Sequence, residues 1–226
     1  MQNVDKEEVL NVVVDFETLG LPRDRGVALD LSATYFTDTE LLDGSDKPVL
    51  SFKDLIERSL TVKFDVADQI DTYGRTTDQG VIDWWKKQSE DARSLVAKSE
   101  RDVSLSTGIN TFFDWLDHPA KKTRLWARGM VFDLCLLEDL MKDVEYNRFM
   151  AFWNYRDTRT WFAGCMLDPN YDRVPVSKDE LDGFVAHNSS HDVAKDALMC
   201  MYAPLYASGA TGLPTDPDPS TVVGGK

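Results

Sequence analysis

Apolar positions along the chain follow two rhythms in turn. Val9–Val14 is an apolar run, the pattern of a strand covered on both faces, and Val27–Phe36 alternates through Leu29, Leu31, Ala33 and Tyr35. Leu60–Phe64 gives a third short β-like stretch, so the opening reads as a three-strand meander. The loop Gln69–Gln79, rich in Asp, Thr and Gly, leads into a helical pattern over Val81–Val96 that carries Ile82, Trp85, Ala92 and Val96. A second helix is predicted over Ser104–Leu116. Thr123–Ala127 then reads as a strand, Phe132–Asp143 as a helix, Phe152–Thr158 as a strand and His191–Ala207 as the last helix, bent by Pro204. Strands first, then alternating helices and strands, predict an α/β fold: a mixed five-stranded sheet flanked by helices. Residues 1–208 read as one domain. From Gly209 the chain holds Gly, Pro, Asp, Ser and Thr with little to bury, which predicts a flexible tail over residues 209–226.

Composition narrows this only slightly. With 226 residues, 42% of them hydrophobic, the chain can bury one good core and is short for two domains. The absence of a long apolar span or a basic-then-apolar start predicts a cytoplasmic protein. Cys135, Cys165 and Cys200 are widely spaced within apolar sequence, which fits small buried hydrophobes better than a disulfide framework or zinc site. Charge is more informative: 25 basic against 39 acidic residues leave a net −14. A long electrostatic track along nucleic acid would need a basic stripe, and none is visible. Any nucleic-acid partner must be held locally.

Candidate chemistry begins in Val12-Val13-Val14-Asp15-Phe16-Glu17-Thr18. Side chains alternate along a strand, so Asp15 and Glu17 project from one face while Phe16 turns to the other. Paired carboxylates beside an apolar layer repel each other, and a bound dication relieves that repulsion; a solvated strand end is the plainer reading of this segment alone. Asp133 lies near a helix start, where the dipole favours a carboxylate. His191 and Asp196 would sit about 140° apart if both were helical, and share a site only if His191 belongs to the Asn188-Ser189-Ser190 loop ahead of the helix. A zinc reading of His187 with His191 needs a helix where Asn-Ser-Ser argues for a loop, and ranks well below. Trp84 and Trp85 cannot both face inward: one packs in the core, the other stays at the surface for base stacking or packing.

Asp-x-Glu-Thr in the first strand, Phe-Asp beginning a central helix and His-x-x-x-x-Asp near the end resemble, in this order, the three motifs of the DEDDh (DnaQ-like) 3′→5′ exonucleases. Further segments, Trp84-Trp85-Lys86-Lys87-Gln88-Ser89, Arg128-Gly129-Met130, Phe152-Trp153-Asn154 with Arg156-Asp157, and Leu181–His187, are similar to the T-even phage exonucleases. The resemblance implies a ribonuclease-H-like exonuclease fold, a phage source, and two divalent cations, Mg²⁺ or Mn²⁺, on Asp15, Glu17, Asp133 and Asp196. It implies His191 as general base, and Thr18, Leu19 and Phe132 as contacts to a terminal nucleotide. Arg128 joins the candidate substrate contacts, although many such enzymes carry a small polar residue there; it holds a strand phosphate or pairs with an acid. The expected substrate is the 3′ end of single-stranded DNA, with RNA the leading alternative and a catalytically idle scaffold the remote one. A homodimer is compatible with the sequence and not indicated by it.

Overall fold

The computed structural model describes residues 8–41, 43–117, 122–147 and 151–222. Strands β1 (Val9–Thr18), β2 (Ala28–Thr37), β3 (Leu60–Lys63), β4 (Lys122–Ala127) and β5 (Tyr155–Asp157) form one sheet in the order β3-β2-β1-β4-β5. The pairs β1/β2 and β2/β3 are antiparallel, whereas β1/β4 and β4/β5 are parallel. The helices are α1 (Asp38–Leu41), α2 (Phe52–Glu57), α3 (Val66–Tyr73), α4 (Gln79–Trp85), α5 (Glu90–Val96), α6 (Leu105–Leu116), α7 (Met130–Asp143), α8 (Thr158–Met166) and α9 (Ser189–Ser208). Among the described residues, no helix is long and apolar enough to cross a membrane.

The apolar run of β1 is explained by cover on both faces. Leu10, Val12, Val14 and Phe16 enter a core with Ile109, Phe112 and Phe113 of α6 and Leu136, Leu137 and Leu140 of α7. Val13 points the other way, into a second core with Phe162 of α8 and Val193, Ala197 and Met201 of α9. Each such buried side chain contributes about 1.5–3 kcal/mol, so the central strand is fixed in register. A Cβ at Gly108 would meet Phe64 Cε1 at 2.4 Å; α6 packs this close to the sheet because the glycine has none.

Several elements differ from the sequence expectation. Helix α3 covers the first half of the expected loop: Asp65 caps its start by accepting the Asp68 N–H, and Gly74 ends it at φ 65. Its buried Gln69 exchanges two hydrogen bonds with the backbone of Ala28, 2.9 and 2.7 Å. The expected helix 81–96 is two helices, because Ser89 caps a new start by accepting the Ala92 N–H. The expected strand 152–158 shrinks to three residues, since Asp157 caps α8 by accepting the Thr160 N–H. Of the three cysteines, Cys200 is buried, Cys165 half-buried and Cys135 exposed.

The expected flexible tail is docked as far as it is described. The Asp218 N–H donates to the Val176 carbonyl at 2.8 Å, and the buried Thr221 hydroxyl accepts the Val176 N–H at 3.0 Å. Lys178 pairs with Asp216 at 2.8 Å. Backbone pairing, which composition does not register, holds this segment. Residues 223–226 lie outside the described residues.

Candidate active site

Three elements converge on one cleft. The end of β1 directs Asp15 and Glu17 toward α9, while Phe16 enters the opposite core. At the end of β4 the chain turns through Gly129, at φ +98, into α7. Asp157 receives the N–H groups of Gly129 and Met130 at 3.0 and 3.2 Å, fixing that turn. The first turn of α7 then brings Asp133 under β1, where it accepts the Phe16 N–H at 3.3 Å. Helix α9 adds Asp192, Lys195 and Asp196 from its first two turns, the acids four apart and on one face. The cleft encloses about 730 Å³, and Asp218, Pro219 and Ser220 of the docked C-terminal segment form part of its wall.

The carboxylates load one another. Burial, then the charges of Asp133 and Glu17, hold the Asp15 carboxyl well above its ordinary range. Burial raises Glu17 to about 9, with Asp30 and Asp192 adding to the effect. Asp133 is raised to about 7, chiefly by burial, against the hydrogen bond from Phe16. Asp30, opposite Glu17 across the β1/β2 ladder, is raised to about 6 by burial. Such a cluster retains protons unless a cation is supplied, and its all-oxygen carboxylate donors fit a hard dication.

The two histidines do not occupy the positions expected. Helix α9 starts at Ser189 after the N-cap Asn188, so His191 lies inside the helix rather than ahead of it, and diverges from Asp196 as two helical residues five apart must. Its Nδ1 accepts the Val185 N–H at 3.1 Å, and its ring packs against Phe52 and Phe184, with centroids 5.6 and 6.4 Å away. Burial lowers its pKa, opposed by Asp192. His191 does not line the cleft; His187 does. His187 sits in the left-handed region at φ 61, and its N–H donates to Asp192 Oδ2 at 2.9 Å. Potential ligand atoms of Glu17, His187 and Asp192 lie within 4.8 Å of one another. The signal was present in the sequence, because His187 and Asp192 are themselves five apart: His-x-x-x-x-Asp occurs twice, offset by one helical turn.

The remaining candidates divide. Asp196 lines the cleft, but Arg128 Nη1 holds its Oδ1 at 2.9 Å. Thr18, Leu19 and Phe132 are not among the cleft-lining residues. The Thr18 carbonyl accepts Trp85 Nε1–H at 2.9 Å, the Leu19 N–H donates to Val27 O at 2.8 Å, and the Leu19 carbonyl accepts the Asp78 N–H at 2.7 Å. The Leu19 side chain packs beside Leu29, Trp85 and Ala92. Phe132 is half-buried at the start of α7. Trp85 is the inward tryptophan; Trp84 is 41% exposed and meets the His187 ring edge-on, with centroids 4.8 Å apart.

Comparison with known proteins bears on this arrangement. A family profile described as "3′-5′ exoribonuclease Rv2179c-like domain" matches residues 10–203. The exodeoxyribonuclease of Enterobacteria phage T4 is 36% identical over 224 residues, covering 92% of this chain and 95% of that protein. Among solved structures, exonuclease I aligns with TM-score 0.53 at 15% identity, over 88% of this chain and 41% of that one. Escherichia coli exonuclease I in complex with a dA16 oligonucleotide gives 0.52 at 17% identity, over 88% and 41%. This chain therefore spans about two fifths of exonuclease I, and the likeness shows a shared ribonuclease-H-like fold.

Proposed function

Because the chain belongs to the Rv2179c-like 3′–5′ exoribonuclease family and is thus a 3′–5′ exonuclease, we propose that its cleft releases nucleoside 5′-monophosphates from the 3′ ends of single-stranded DNA, with His187 as the general base. The observation that carries the reading is the meeting of Glu17, His187 and Asp192 beside Asp15 and Asp133. The acid set fits a divalent pair better with Asp192 than with Asp196, since Asp192 reaches within ligand distance of Glu17 whereas Asp196 is committed to Arg128. Two bound divalent cations, Mg²⁺ or Mn²⁺, would stabilise the charge that builds on the phosphate and lower the pKa of an attacking water.

The protein's own part is positioning and proton transfer. Asn188 begins α9, so His187 stands in the loop before it, and the bond from its N–H to Asp192 fixes where the imidazole reaches. A base so placed takes the proton of the attacking water, a contribution of about 10²–10⁴ in rate. Trp84, exposed beside His187, offers a face on which a base at the strand end can stack.

DNA is favoured by the T4 relative, whose match extends over nearly the full length of both chains. RNA is a second reading, favoured by the description of the family profile. Incubation of end-labelled DNA and RNA strands with Mg²⁺, Mn²⁺ or excess chelator separates them. Stepwise shortening of DNA from the 3′ end, absent in chelator, is the expected result; preferential RNA digestion would select the second reading, and no digestion of either would overturn both.

A further inference from the structure

We infer that Asp196 is the positioning residue that aims Arg128 at a backbone phosphate of the bound strand, and is not itself a cation ligand. This rests on the exonuclease reading of the cleft. Arg128 leaves the end of β4 and is gripped from two sides: Nη1 donates to Asp196 Oδ1 at 2.9 Å and Nη2 to the Asp172 carbonyl at 2.9 Å. A guanidinium carries five N–H donors in one rigid plane, so two fixed bonds set the direction of the other three. The group lines the cleft together with Asp15 and Glu17.

The Asp196 side chain is 8% exposed and that of Arg128 18%. A cation could recruit Asp196 only by displacing an arginine from a shielded, charge-assisted bond, which would strand both charges. Asp192, one turn earlier on the helix, bears no arginine. The chain carries a net −14, so its overall field repels a polyanion and attraction must be local. An arginine whose own counter-ion holds it in place supplies that attraction with little ordering left to do on binding, and its planar fork matches the paired oxygens of a phosphate.

The test is a double-mutant cycle on the full chain with Arg128→Ala, Asp196→Asn and both together, and Asp15→Asn as control. Three quantities are measured: Mn²⁺ affinity by calorimetry, affinity for a fluorescein-labelled oligothymidylate across a KCl series, and kcat with KM on the same strand. Asp196→Asn should keep Mn²⁺ affinity within about twofold and bind the strand at least as tightly, since it removes a negative charge, yet lose about tenfold in kcat as Arg128 loses its aim. Arg128→Ala should flatten the logarithmic salt dependence of strand binding by about 0.7, the share of one phosphate contact on a single strand. The double variant should be no slower than Arg128→Ala, because an unaimed and an absent arginine are equivalent here. Should Arg128→Ala fold poorly through its unpaired buried carboxylate, Arg128→Lys replaces it: charge and salt slope persist while kcat falls. Loss of Mn²⁺ affinity in Asp196→Asn comparable with Asp15→Asn would make Asp196 a ligand. An unchanged salt slope in Arg128→Ala, or additive losses in the double variant, would reduce the pair to a structural bridge. Full activity of Asp15→Asn would instead overturn the underlying reading of the cleft.

Discussion

Replacing the two histidines separately should separate chemistry from packing. His191→Ala removes the acceptor for the Val185 N–H and two aromatic contacts. A lost hydrogen bond costs about 1 kcal/mol and each aromatic pair about 0.5–1.5 kcal/mol, so the total is roughly 2–4 kcal/mol. In a domain of this size 1 kcal/mol moves Tm by about 2–4 °C, so metal-free melting should fall by roughly 5–15 °C. Its kcat at a temperature where it stays folded should change by no more than about threefold, because the ring does not reach the cleft. His187→Asn should behave in the opposite way. Asn tolerates the left-handed backbone that His187 adopts, and the lost ring contact is with the half-exposed Trp84, so Tm should move only a few degrees. Its kcat should fall about 10²–10⁴-fold, and the residual rate should lose its acid limb with the group that accepts the proton. Both variants are compared by melting in chelator and by single-turnover digestion of an end-labelled strand in Mg²⁺. A His191→Ala protein that stays well folded but loses a hundredfold in rate, beside an active His187→Asn, would refute the assignment and return the base to His191.

Other perturbations give further checks. Asp15→Asn and Glu17→Gln should abolish digestion while metal-free Tm holds or rises, and a fully active Asp15→Asn would rule out the carboxylate site. Glu17 holds its proton up to about 9 in the fold against an ordinary 4.5, so the folded state binds more protons across that window and its stability falls as pH rises through it. The gain in Tm from Glu17→Gln should therefore be larger near pH 8 than near pH 5; equal gains would contradict the raised value. Saturation with Mn²⁺ at about a hundred times Kd should add about 2.7 kcal/mol, roughly 5–10 °C in a melting scan, and leave Asp15→Asn nearly unmoved. Circular single strands should resist while linear ones are shortened stepwise; comparable cleavage of circles on a gel would show an endonuclease.

How much of this was legible in the sequence depends on how local each signal is. The strand pattern of β1 and the alternation of β2 are set by which face each side chain buries, so the meander and the mixed sheet could be read directly. Short helices were harder. α3 has only Gln69 fully buried among its eight residues, so it shows almost no apolar period; its evidence was the Asp65 cap and Gly74 stop, which a loop composition also supplies. α8 was read as strand because Asp157 both ends β5 and caps the helix that follows at once. The docked C-terminal segment is held by backbone pairing to residues 176–178, a contact no composition reveals.

The site was legible as chemistry but not as register. Asp15, Glu17 and Asp133 could be placed because each sits at the end of a strongly patterned element, and the structure brings all three together with α9. Two copies of His-x-x-x-x-Asp, offset by four residues, overlap in His187–Asp196. The requirement that the histidine precede the helix was sound, but applying it needed the helix start to within one turn, finer than capping signals in an Asn-Ser-Ser run allow. Asn188, Ser189 and Ser190 are all competent caps. What breaks the tie lies elsewhere in the chain: Phe52 and Phe184 form an apolar seat for His191, and the Val185 N–H takes its Nδ1, leaving His187 to face Glu17. A one-turn offset on a helix keeps the same face, which is why Asp192 and Asp196 both reach the cleft and why spacing alone could not assign them. Their roles divide by partner, with Asp192 beside Glu17 and His187 and Asp196 under Arg128.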